Sequence, residues 1–204
     1  MLKRRFRPLV VCSLASVALL AACGGGNAMS GYSHYGQELD PRKHPYVIGT
    51  GDRLSVVVWQ EPDLSRDVQV RPDGTVTLPL VGEVHAAGKT PTQLKEELKQ
   101  RMQNYVKQPI VTVSVEAVAS YRFTVSGNVA QNGIFAPGYY VTVAEAIAMA
   151  GGPTEYADGD DVVLIRTDPG GQLRRIPIDY EAILDGDNPE QNIVVLPGDN
   201  LFVP

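Results

Sequence analysis

The sequence predicts an α+β protein made of two small, mostly-β units in series. Three observations carry this. Short runs of β-branched residues with alternating polarity recur along the chain. They are separated by compact turns, with 20 glycines and 15 prolines spread through 204 residues rather than gathered in low-complexity tracts. Two segments with helical apolar spacing each open on a Thr-x-x-Gln/Glu capping box.

The first ordered segment covers residues 46–60. Gly49, Gly51 and Asp52 make a turn, and residues 54–59 form a β-branched run suited to a buried strand. Val68 and Val70 alternate with polar neighbours, as do Val76 and Leu78. Arg71-Pro72-Asp73-Gly74 stands between them as a turn, so the two strands are expected to pair as a hairpin. Thr90-Pro91-Thr92-Gln93 opens a helix with proline at its first position. Leu94, Leu98, Met102 and Tyr105 form its apolar stripe, and Pro109 ends it. Residues 110–118 alternate strictly and read as a strand.

The second unit starts at Tyr121. Phe123 and Val125 lie on a strand that breaks at Ser126-Gly127-Asn128. Asn132-Gly133 and Pro137-Gly138 then lead to Tyr139-Tyr140-Val141. Thr142-Val143-Ala144-Glu145 caps a helix that ends at Gly151-Gly152-Pro153. Strands at 162–166 and 174–178 flank the turn Asp168-Pro169-Gly170-Gly171. A short helix near residues 180–184 and a last strand, Asn200–Val203, close the chain. A helix on a small mixed sheet is the β-grasp pattern. One internal echo is visible: Gly51-Asp52-Arg53-Leu54-Ser55-Val56 against Gly198-Asp199-Asn200-Leu201-Phe202-Val203. Chance or a shared turn geometry would each explain it.

The N-terminus reads differently. Lys3, Arg4, Arg5 and Arg7 precede an apolar run at 9–19, which is too short for the ~20 residues of a membrane-spanning helix. Ala21, Ala22 and Cys23 follow. This is the layout of a secretory leader, and LAAC (residues 20–23) resembles the bacterial lipobox. That resemblance implies cleavage between Ala22 and Cys23 and acylation of Cys23. Gly24, in place of aspartate, points to the outer membrane. GGGNAMSGYSHYGQELDPRKHP (residues 24–45) is then a flexible tether.

Removing the four basic leader residues leaves 14 basic against 23 acidic side chains, a net charge of −9. This argues against nucleic acid as a partner. Cys12 leaves with the leader and Cys23 becomes a thioether, so no thiol remains for a disulfide, a metal or catalysis. Asp158-Gly159-Asp160-Asp161 and Asp185-Gly186-Asp187-Asn188 read as solvated turns. An EF-hand loop counted from Asp158 would need glutamate where Pro169 stands. His34 and His44 fall in the tether, and His85 stands alone on a strand. Glu61, Asp63 and Asp67 are near neighbours, but a solvated loop is the plainer reading than a glycosidase pair. No metal and no cofactor are expected.

GTGDRLSVVVW (residues 49–59), VRPDGTVTLPLVG (70–82) and Gly88-Lys89-Thr90-Pro91 ahead of a helix resemble the N-terminal domain of the polysaccharide export proteins, the Wza-like outer-membrane auxiliary lipoproteins. VSGNVAQNGIFAPGYYVTVAEAIAMAGGPTEYA (125–157) is similar to their soluble-ligand-binding β-grasp (SLBB) domain. The resemblance implies a non-enzymatic, ring-forming conduit for exopolysaccharide or capsule. It implies as partners the polysaccharide, an inner-membrane polysaccharide co-polymerase, outer-membrane lipid through acylated Cys23, and further copies of the chain in a homo-oligomer. Larger members carry more β-grasp domains and a C-terminal amphipathic helix. This chain stops at Pro204 after a strand, so it resembles a short form that works with a separate outer-membrane β-barrel.

The expected organisation is a lipoprotein leader at 1–22, a tether at 23–45, an export domain at 46–120 and an SLBB domain at 121–204. Tyr139 and Tyr140 are candidate sugar contacts. Neighbouring strand residues face opposite ways, so at most one of them would line a lumen. Two other readings stay open: a lipid-anchored β-grasp module that binds a soluble ligand or scaffolds an envelope complex, and a periplasmic polysaccharide-modifying enzyme.

Overall fold

The computed structural model describes residues 40–168 and 170–204. Cys23, Ala22, His34 and the tether up to residue 39 lie outside these residues, as does Pro169 of the second turn. A 3₁₀ turn, Pro41–Lys43, capped by the Asp40 side chain, precedes Tyr46 where the sequence suggests tether.

Two separate hydrophobic clusters organise the described chain. The first gathers around a three-stranded antiparallel sheet. Its strands are β1 (Arg53–Val58), β2 (Arg66–Gln69) and β5 (Val111–Ala117), in the order β2-β1-β5. Leu54, Val56 and Val58 alternate inward on β1, as its β-branched run predicts, and all are buried. Helix α1 (Pro91–Met102) has the expected capping box, Thr90 with Gln93, and adds Leu94, Leu98 and Met102 to the same core. Beside them lies a separate hairpin of β3 (Thr75–Leu78) and β4 (Gly82–His85), which contributes Val76, Leu78 and Val84.

Two expectations fail here. The Arg71–Gly74 turn exists: Gly74 N–H donates to Arg71 O at 2.9 Å and Arg71 N–H to Thr75 O at 2.9 Å. The strands on its two sides part company, however. β2 pairs with β1 and β3 pairs with β4. Alternation tells which face a residue takes but not which strand it pairs with. The β1–β2 ladder is also prolonged by Val70 N–H to Asp52 O and Gly51 N–H to Val70 O, both 2.8 Å, so β2 is already committed. Tyr105 is not part of the helical stripe either. The helix ends at Met102, Tyr105 is exposed, and Val106 packs against the core instead.

The second cluster belongs to a five-stranded mixed sheet. Its strands are β6 (Phe123–Gly127), β7 (Gly133–Phe135), β8 (Val162–Thr167), β9 (Leu173–Ile178) and β10 (Asn200–Val203), in the order β7-β6-β10-β8-β9. β6 and β10 run parallel; β7 pairs antiparallel with β6 on one side, and the antiparallel β8–β9 hairpin joins β10 on the other. Helix α2 (Val143–Met149) opens on the reciprocal Thr142–Glu145 box and buries Val143, Ala146 and Ile147 in the core of the sheet. This is a β-grasp arrangement. A short helix α3 (Tyr180–Asp185) is capped by Asp179 and ends at Gly186 in the left-handed region. β7 escapes sequence reading because three residues are too few to show a period. Among the described residues, no helix is long and apolar enough to cross a membrane.

Candidate functional site

The two clusters meet at residues 118–122, and the side chains that converge there come from both. Asp52, fully buried at the end of the first turn, faces this stretch. One carboxylate oxygen accepts from the backbone N–H of Ala119 (3.0 Å) and of Ser120 (2.8 Å). The other accepts from Gly49 N–H (2.8 Å) and from the Tyr46 hydroxyl. Tyr46 Oη also lies 3.1 Å from Ser120 Oγ. The fit leaves no room at Gly49, where a Cβ would stand 2.3 Å from Ser120 Cβ. Burial, with the Asp52 carboxylate beside it, drives the Tyr46 phenol pKa well above the ordinary tyrosine value.

Against this network lies a cleft of about 370 Å³, lined by Arg42, Tyr46, Val118, Tyr121, Gly138, Tyr139 and Tyr140. Its size falls within the ~300–1,000 Å³ of ordinary small-ligand sites. Tyr121 forms its inner wall. Its hydroxyl donates to Val195 O and accepts from Val141 N–H, both at 3.0 Å, and burial pushes its pKa up to about 12. Tyr140 packs edge-on against Tyr121, with ring centroids 4.8 Å apart at 69°. Burial raises its pKa as well, helped by the charge on Asp52. Tyr139 is 64% exposed and presents its ring to solvent. Arg42 stands at the rim, tied to Asp40 by bonds of 2.9 and 3.1 Å, and that guanidinium holds the Asp40 carboxyl below its usual range.

The structure therefore brings Tyr139 and Tyr140 to one cleft. The argument that they must face apart does not apply, because neither lies in a strand: the strand before them, β7, ends at Phe135. Tyr140 is mainly a packing residue and Tyr139 is the open surface. The other sequence candidates are not gathered here. Asp158, Asp160 and Asp161 are exposed around a 3₁₀ turn, His44 and His85 are exposed and far apart in the chain, and Asp63 and Asp67 are exposed. Among the described residues, no group of three or more His, Cys, Asp or Glu side chains is placed to hold a metal ion.

Sequence reasoning missed the buried polar anchors. Asp52 has a counterpart in Asp199, which lies in front of β10. Asp199 accepts from Arg166 Nε (3.0 and 3.1 Å), Arg166 Nη2 (2.6 Å) and Leu196 N–H (2.7 Å), with both side chains almost fully buried. The signal that could have found them was the Gly-Asp echo.

The chain matches known proteins in two consecutive stretches. Residues 40–116 match the family model of the polysaccharide biosynthesis/export protein, and residues 122–177 match the SLBB domain. The EPS I polysaccharide export outer membrane protein EpsA of Ralstonia nicotianae is 31% identical over 160 residues, 65% of this chain and 42% of that protein. The capsule polysaccharide export outer membrane protein CtrA of Neisseria meningitidis serogroup A is 28% identical over 174 residues, 75% of this chain and 43% of that protein. The exopolysaccharide production protein ExoF of Rhizobium meliloti is 32% identical over 151 residues, 68% of this chain and 32% of that protein. The matched stretch thus spans less than half the length of each of these relatives.

Proposed function

Because this chain belongs to the polysaccharide biosynthesis/export protein family, we propose that it is a lipoprotein component of an export path for exopolysaccharide or capsular polysaccharide. In this reading Cys23 is acylated and holds the protein to the outer membrane, with the body in the periplasm. The units at 46–120 and 121–204 build the wall of a homo-oligomeric conduit. The polymer moves passively, driven by its own synthesis and by an inner-membrane co-polymerase, and a separate outer-membrane β-barrel completes the path. The relatives are export proteins by name rather than enzymes, in keeping with the absence of catalytic motifs expected from the sequence.

The observation that carries this reading is order: an export domain followed directly by an SLBB domain, behind an N-terminal stretch that carries LAAC at residues 20–23. The test is polysaccharide in the medium and on the cell surface, compared between wild type and a clean deletion. Loss of exported polymer, restored by complementation, is the expected result. Export that continues undiminished, with no paralogue compensating, overturns it. The tyrosine-lined cleft favours one second reading, a β-grasp module that binds a soluble ligand. Export would then persist in the deletion strain, and a small molecule would remain with the purified protein.

A further inference from the structure

Tyr121 and Arg122 are consecutive, and each lines a different cleft. The second cleft, of about 390 Å³, is bordered by Thr50, Gly51, Gln69, Arg71, Pro72 and Arg122. Its two arginines come from the two halves of the chain: Arg71 lies two residues beyond β2, and Arg122 directly precedes β6.

Arg71 is held in place at 2.7 Å from Glu83 and 2.9 Å from Asp73, carboxylates that are themselves exposed. Ion pairs that open to solvent are weak and exchange readily. Arg122 is exposed, and among the described residues its side chain makes no ion pair. Arg122 can therefore turn its donors toward an incoming anion directly, and Arg71 can do so by exchanging one of its exposed partners. A guanidinium is planar and matches a carboxylate through two parallel hydrogen bonds. The remaining wall suits a sugar ring: Pro72 offers apolar surface over the buried Val70, and Thr50 lines the cleft beside it. A bare phosphate ion would use the arginines and leave that wall uncovered.

We propose that the Arg71–Arg122 cleft binds a carboxylate-bearing sugar unit, which makes the cargo an acidic polysaccharide. The proposal rests on the export reading and names its substrate class. The binding test uses the full chain purified in detergent and titrated calorimetrically with three probes: a galacturonic acid oligomer, a neutral malto-oligosaccharide of the same length, and inorganic phosphate. The uronate is expected to bind, to weaken as salt rises, and to weaken roughly tenfold in Arg122→Gln, with partial rescue in Arg122→Lys. Thermal melting confirms that the variants are folded. Failure of the uronate to bind, equal binding of the neutral oligomer, equal binding of phosphate alone, or wild-type uronate affinity in both Arg122→Gln and Arg71→Gln would each overturn the proposal. The export reading is judged separately by the deletion strain. Lost export with no uronate binding keeps that reading and discards this one. Uronate binding with undiminished export keeps an anionic-sugar site and discards the conduit.

Discussion

Asp52 and Asp199 occupy the same place in two separate stretches of the chain. Each follows a glycine in the left-handed region (Gly51 at φ 94°, Gly198 at φ 85°), each precedes a strand, and each is buried. Each carboxylate also accepts from the N–H three residues earlier, Gly49 for Asp52 and Leu196 for Asp199, while its own N–H donates back to the carbonyl of that residue. The echo is a shared turn geometry. Only the further partners differ: the residue 119–120 backbone and Tyr46 for Asp52, and Arg166 for Asp199.

Asp52→Ala leaves its donors buried without an acceptor. We expect a loss of roughly 2–3 kcal/mol, or about 5–10 °C in Tm for a chain of this size, measured by circular dichroism. A change within about 1 °C would show that water replaces the carboxylate at no cost.

The Arg166–Asp199 pair is buried on both sides. Removing either partner strands the other charge, so Arg166→Met and Asp199→Leu should each cost about 3–5 kcal/mol. The double variant should cost clearly less than the sum of the two. Urea unfolding of all four proteins closes the cycle, and strict additivity would contradict the coupling.

Gly127 and Gly133 should respond in opposite ways to alanine. At Gly127, φ is 98° and a Cβ would stand 1.9 Å from the Val203 carbonyl oxygen, inside the central parallel pairing of β6 and β10. A Cβ at Gly133 meets nothing within 4 Å. Gly127→Ala should prevent native folding or lower Tm by more than about 8 °C, while Gly133→Ala stays near wild type.

Alkali should unfold the protein through its buried phenols. The folded-state pKa of Tyr121 is raised to about 12, mainly by burial, from an ordinary value of 10.0, and that of Tyr46 is raised further. The unfolded chain therefore releases these protons first. The stabilisation is complete below pH 10, declines above it, and for Tyr121 is spent by about pH 12. Urea midpoints recorded from neutral pH upward should fall beyond pH 10, and less steeply in Tyr121→Phe. A decline of the same slope in that variant would assign the effect elsewhere.

Cys23→Ala should leave the folded body unchanged while moving the protein from the membrane fraction to the soluble fraction. Unaltered fractionation would rule out a lipid anchor at this residue.

Much of this protein is legible in the order of its residues because the relevant physics is local. A capping box spans four residues, so Thr90 and Thr142 announce both main helices. Strand alternation has a period of two, so the buried faces of β1, β6 and β10 can be read directly. Turns written in Gly, Pro and Asp carry their own dihedral preferences. Family membership follows from the order of those same elements. What local sequence does not encode is which distant groups meet. Strand partners are chosen by the shared core, which is why β2 turned to β1 rather than across the Arg71–Gly74 turn to β3. The helix ends at Met102, so Tyr105 falls outside its stripe and Val106 meets the core instead. The role of Asp52 depends on residues 119–120 arriving beside it, and each cleft is lined by residues from both sides of that stretch. Burial and charge pairing depend on position in space, so they were decided by the tertiary structure alone.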